Sequence, residues 1–101
     1  MELSAFQKKI EEIYFEKDSR RGREGTFCWF AEEVGELARA LRKGDRENRR
    51  EEFADVLAWL STLASLAGVD LEAAALERYG SGCPYCRKAP CVCPEPPARP
   101  A

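Results

Sequence analysis

Two short acidic repeats constrain this chain more than anything else in it. Glu32-Glu33-Val34-Gly35-Glu36 and Glu51-Glu52-Phe53-Ala54-Asp55 each set two carboxylates three residues apart, Glu33 with Glu36 and Glu52 with Asp55. Each pair lies in a stretch whose apolar residues recur at spacings of three and four, so each forms a two-pronged fork on one side of a helix. If the two helices pack together, four carboxylates converge. Unit charges ~4 Å apart repel by roughly 4 kcal/mol at an effective dielectric near 20. Such a cluster calls for protonation, splaying or a cation, and hard carboxylate oxygens suit Mg²⁺, an ion that also binds phosphates.

The periodicity predicts four helices and a tail. Ser4 with Gln7 reads as a capping box opening a first helix that carries Phe6, Ile10, Ile13 and Tyr14 and fades near Asp18. Ser19 to Gly25 is polar and contains two glycines, and reads as a loop. Thr26 caps a second helix ending at Lys43, with Gly44 as its stop. Asp45 caps a third helix, roughly Arg46 to Ala67, closed by Gly68. Asp70 caps a short fourth helix that Gly80 ends. No strand-like alternation competes with this pattern. A wheel at ~100° per residue gives the second helix an apolar seam of Phe27, Phe30, Val34, Leu37 and Leu41. The third helix has a matching seam of Phe53, Val56, Leu57, Leu60 and Leu63. In both, the acids lie to one side, next to Trp29 and Trp59. The seams read as core, and the acid-and-tryptophan faces as a pocket that stacks an aromatic ring beside a metal. The competing reading is solvated helix faces bridged to Arg39, Arg42 or Arg49.

With 101 residues the chain makes one small domain, short enough to lean on a partner subunit or a metal. A net charge of −2 argues against wholesale nucleic-acid binding. No apolar run approaches a bilayer span, and the N-terminus lacks the pattern of a secretory signal, so no membrane partner and a cytoplasmic location with reduced thiols are expected. Histidine is absent. Acid–base catalysis by histidine and Ser-His-Asp hydrolysis are thereby excluded.

The acidic segments resemble the MazG-type, all-α nucleoside triphosphate pyrophosphohydrolases. The family pattern is E-E-x-x-E, a spacer, then E-x-x-D, which Glu32-Glu33-Val34-Gly35-Glu36 and Glu52-Phe53-Ala54-Asp55 match, with Lys43-Gly44-Asp45 in the spacer where the family turns. The resemblance spans roughly Phe6 to Tyr79. It implies that Glu33, Glu36, Glu52 and Asp55 bind Mg²⁺ (or Mn²⁺), and that Glu32 serves a second metal or the attacking water. It also implies cleavage of the α–β bond of (deoxy)nucleoside triphosphates, and a homodimer or homotetramer. The fold expected is therefore an all-α, four-helix MazG-like bundle completed by dimerisation. Phosphoryl transfer needs divalent cations and a positioned water more than covalent help, and a carboxylate can polarise that water. Cations should complete the site: Lys43, Arg21 among the loop arginines 20, 21 and 23, and Arg50. Trp29 and Trp59 are the candidates for stacking on the base. A role in clearing surplus or non-standard nucleotides fits such an activity.

The last 21 residues hold all six prolines and four of the five cysteines. Cys83-Pro84-Tyr85-Cys86 followed by Cys91-Val92-Cys93 matches tetrahedral Zn–S₄ ligation, although C-x-C is tighter than a usual second knuckle. Disulfides or a flexible thiol tail are the alternatives. Cys28 lies off both seams and reads as an ordinary residue. The organisation expected is a helical domain over 1–80, a Cys₄ zinc knuckle over 81–94 and a disordered proline-rich end over 95–101. Two rival functions share these features. One is phosphoribosyl-ATP pyrophosphohydrolase, which cleaves the same type of bond. The other is a non-catalytic module that dimerises through its helices and contacts a partner or a single strand through its knuckle.

Overall fold

A computed structural model describes residues 1–94; the proline-rich end, 95–101, lies outside the described residues. The described chain is all-helical, with no strand: α1 (Leu3–Lys43), α2 (Arg46–Leu66) and α3 (Leu71–Tyr79). It divides into two compact units, Met1–Leu71 and Glu72–Ala101. No single helix among the described residues is long and apolar enough to cross a membrane.

Three helices stand where four were expected, because the first two are joined. The anticipated loop over 19–25 is helical except at Gly22, whose φ of +81° and ψ of 173° bend the backbone between two helical halves. Only glycine reaches that region without a Cβ penalty, so one residue suffices where seven were allowed. Thr26 is consequently not a cap but a fully buried residue within α1. The start of α1 also differs: Glu2 is its N-cap, and Ser4 lies inside the helix. The turn to α2 follows expectation at Asp45, whose carboxylate accepts from the Asn48 N–H at 2.8 Å. Gly44 has an ordinary φ of −77°. What it supplies there is space, since a Cβ would meet the Ala40 carbonyl oxygen at 2.8 Å. Gly68, at φ +74°, follows the end of α2 as expected.

Within the first unit α2 lies antiparallel to α1. Val69 and Ser65 meet Gln7, Thr62 meets Asp18, Trp59 meets Arg21 and Trp29, and Glu52 meets Glu33. The buried residues on this interface are small or polar: Thr26, Ala40, Ser61, Thr62 and Ala64, with Gln7, Ile10 and Asp18 from the first half of α1. Small side chains let the helices approach closely, and the polar ones are satisfied. Gln7 donates to the Val69 carbonyl at 2.8 Å and accepts from the Leu71 N–H at 2.9 Å, while Ser61 donates to the Leu57 carbonyl.

The apolar seams therefore do not form the intramolecular core. Phe27 (57% exposed), Val34, Leu41 and Phe53 (56%) face outward, as do Leu57 and Leu60, while Phe30, Leu37, Val56 and Leu63 are half-buried. A pair of helices covers one stripe of each. Here the faces that meet carry the half-buried Trp59, Glu33 and Glu52, with Trp29 and Asp55 exposed at their edge, and the greasier stripe is left without a cover among the described residues.

Candidate metal and nucleotide site

The covered stripe brings three acids to one point. Single carboxylate oxygens of Glu33 on α1 and of Glu52 and Asp55 on α2 all lie within 4.8 Å of one another. Glu33 Oε2 and Glu52 Oε1 are buried and have no hydrogen-bond partner. Buried, unpaired carboxylate oxygens are costly, so they require a proton or a cation. Burial pushes the pKa of Glu33 upward, and the charges of Asp55, Glu52 and Glu36 add to the effect in that order. These orphaned oxygens and an all-oxygen donor set fit a hard divalent cation. Glu36 is exposed one turn along α1 and acts on Glu33 through its charge. Glu32 is exposed and lies outside the trio.

Aromatic and cationic groups adjoin the acids. Trp29 and Trp59 stack at 6.2 Å between ring centroids with planes 15° apart. The guanidinium of Arg21 lies 5.0 Å from the centre of the Trp59 ring, a cation–π contact. Arg21 is held there by Asp18 (Nη1 to Oδ1, 3.0 Å) and by the Thr26 hydroxyl (3.3 Å). Asp18 is 5% exposed and also accepts from the Thr62 hydroxyl at 3.0 Å. A cavity of about 260 Å³ opens beside them, lined among others by Tyr14, Lys17, Arg21, Asp55 and Trp59. Asp55 thus belongs to both the acid trio and the cavity. Lys43 and Arg50, near the helix ends, are exposed and are in neither the trio nor the cavity lining.

Sequence spacing assigns no site role to Asp18, Lys17 or Tyr14, because their signal is faint. Asp18 and Arg21 stand three apart, and Tyr14 and Asp18 continue the stripe of Ile10, but the contact with Thr62 spans 44 positions.

The family model for the MazG nucleotide pyrophosphohydrolase domain matches residues 21–86. The chain belongs to the MazG family. The match begins at Arg21, contains both acidic repeats and both tryptophans, and reaches Cys86. No curated protein matches the chain.

At the other end, Cys83, Cys86, Cys91 and Cys93 place all four Sγ atoms within 4.8 Å of one another, and none forms a disulfide. Cys28 is a free, exposed thiol elsewhere on α1.

Proposed function

We propose that this MazG-family chain hydrolyses (deoxy)nucleoside triphosphates to a nucleoside monophosphate and pyrophosphate, with Mg²⁺ (or Mn²⁺) bound by Glu33, Glu52 and Asp55 and by Glu36 beside them. The observation that carries this reading is the trio of convergent carboxylates, two of its oxygens buried and unpaired, opening on a cavity with an arginine on a tryptophan. When bound by these carboxylates, Mg²⁺ would supply positive charge against the polyphosphate. The chain's own groups do the rest. Glu32, exposed next to Glu33, accepts the proton of the water that attacks the α-phosphorus. The bond from that phosphorus to the bridging oxygen breaks, and the electron pair leaves with pyrophosphate. Arg21 and Lys17 offer positive charge to the phosphates, with Asp18 and Thr26 fixing the arginine fork. Trp59 and Trp29 give the base an apolar ring face. Lys43 and Arg50 flank the turn between α1 and α2 and steer an anionic substrate.

The working form in this reading is a homodimer or homotetramer, acting on the cytoplasmic nucleotide pool and removing surplus or non-standard nucleotides. Support comes from the outward apolar seams, and from Ile10, Ala40 and Ala64 being the buried apolar residues of the described chain. That is thin for an independent domain. A second copy laid over Phe27, Val34, Leu41 and Phe53 would supply the missing core and complete a four-helix arrangement.

The test is incubation with a panel of nucleoside triphosphates and phosphoribosyl-ATP in Mg²⁺, assayed for pyrophosphate. Pyrophosphate and monophosphate should form in equal amounts from a free nucleotide, and stop with EDTA. Turnover confined to phosphoribosyl-ATP would transfer the assignment to that rival. Absence of turnover of any of them, with normal helicity, would leave the binding module.

A further inference from the structure

We propose that Cys83, Cys86, Cys91 and Cys93 hold one Zn²⁺ ion as a closed tetrathiolate centre, and that this ion is what orders the segment from Ser81 to Pro94. The sulfur geometry is the first ground. Cys83 and Cys93 Sγ lie 3.8 Å apart, and Cys86 and Cys91 Sγ 3.9 Å. A regular tetrahedron with Zn–S bonds of ≈ 2.3 Å has edges of about 3.8 Å. A disulfide needs ≈ 2.05 Å. The tight C-x-C half is no obstacle, because the Cys91 and Cys93 sulfurs lie within 4.8 Å of each other, as every pair in the set does.

The backbone supplies the second ground. Three amides point at the sulfurs, Tyr85 N–H at Cys83, Val92 N–H at Cys86 and Cys93 N–H at Cys91, each at 3.4 Å. Amides aimed at sulfur stabilise thiolate, the form a metal binds. The turn that sets them is built in. Cys83 N–H donates to the Lys88 carbonyl, and Arg87 N–H to the Cys83 carbonyl. Gly82, at φ +112°, is required twice over, since a Cβ would also meet the Lys88 carbonyl oxygen at 2.9 Å.

The third ground is what the segment lacks. No residue from 73 to 94 is buried, and Leu76, Tyr79, Tyr85 and Val92 are 46–65% exposed. A stretch without a core holds one conformation only through a staple. Disulfides are absent from it. Arg78 adds a tie, donating to the Tyr85 hydroxyl at 3.2 Å and lying 5.6 Å from the centre of its ring, but exposed contacts of this kind contribute little to ordering fourteen residues. Soft sulfur donors in a tetrahedron select Zn²⁺ over the hard Mg²⁺ of the acid site. With all four positions taken by protein sulfur, none is left for water or substrate, and the role is structural.

The test is metal analysis of the full chain, purified under reducing conditions without added metal. It should carry one zinc per chain, fall to none in Cys83→Ser and in Cys93→Ser, and stay at one in Cys28→Ser. Replacement by Co²⁺ should give the visible spectrum of a tetrahedral thiolate site. Hydrogen exchange should show protection in 81–94 that a strong chelator removes while the α1–α2 pair keeps its own. One iron per chain, disulfides, zinc retained by the cysteine variants, zinc lost from Cys28→Ser, or protection unchanged by the chelator would each overturn the proposal. None of these readouts depends on pyrophosphate release, so the zinc centre stands or falls apart from the catalytic assignment.

Discussion

Glu33 shows how one side chain ties stability to function. Its pKa lies above the ordinary 4.5 because burial penalises the charged form and three acids surround it. The folded chain therefore keeps this proton to a higher pH than the unfolded chain does. Well below 4.5 both states are protonated and the stability tied to this proton is fully present. As pH rises through the folded value the advantage is lost, so the stability of the protein without divalent cation should fall across that window. Thermal melts in EDTA from mildly acidic to neutral pH should show this decline, and Glu33→Gln should flatten it. Mg²⁺ should reverse it in the native chain, by about 2.7 kcal/mol at a hundredfold excess over Kd, and much less in the variant. Asp18 gives a second prediction. Replacing it by Ala orphans the buried Thr62 hydroxyl and releases Arg21 from Trp59, costing about 1–3 kcal/mol in urea unfolding. The two residues differ in legibility. Glu33, Glu52 and Asp55 could be read because spacings of three and four fix a helix face. Asp18 could not, since its value comes from Thr62 on another helix.

At the scale of elements, α2, the Asp45 cap and the stop near Gly68 follow from local chemistry alone. The joint over 19–25 does not. Its polar residues and two glycines suit a loop, yet each non-glycine residue there also suits a helix, and one positive φ at Gly22 makes the whole bend. Gly22→Ala should cost about 1–2 kcal/mol through backbone strain, because a Cβ there meets nothing within 4 Å. Gly25 acts differently. A Cβ on it would come within 2.9 Å of Arg21 Cγ. Gly25→Ala should leave the helix intact, and displace Arg21 from the tryptophan, raising KM for the nucleotide more than it lowers kcat. The seams carry the other lesson. A wheel finds the apolar stripe but cannot say which stripe meets the neighbouring helix of the same chain. Close packing favoured the small residues Thr26, Ala40, Ser61 and Ala64 for that contact, and the larger apolar ones were left facing out.

At the scale of the molecule, a thin internal core and outward phenylalanines support the proposed association of copies of the chain. Light scattering should give a multiple of the 11.4 kDa chain mass, and Phe53→Glu should shift it toward the monomer and lower the melting temperature. The central claim, that carboxylates from α1 and α2 meet to bind the cation that a triphosphate needs, is tested most directly by the Mg²⁺-dependent rate of pyrophosphate release in the native chain and in Asp55→Asn. A loss of about 100-fold or more is expected in the variant, at unchanged helicity and oligomeric state. Asp55→Asn cleaving nucleotide at the native rate, with the same dependence on Mg²⁺, would contradict it.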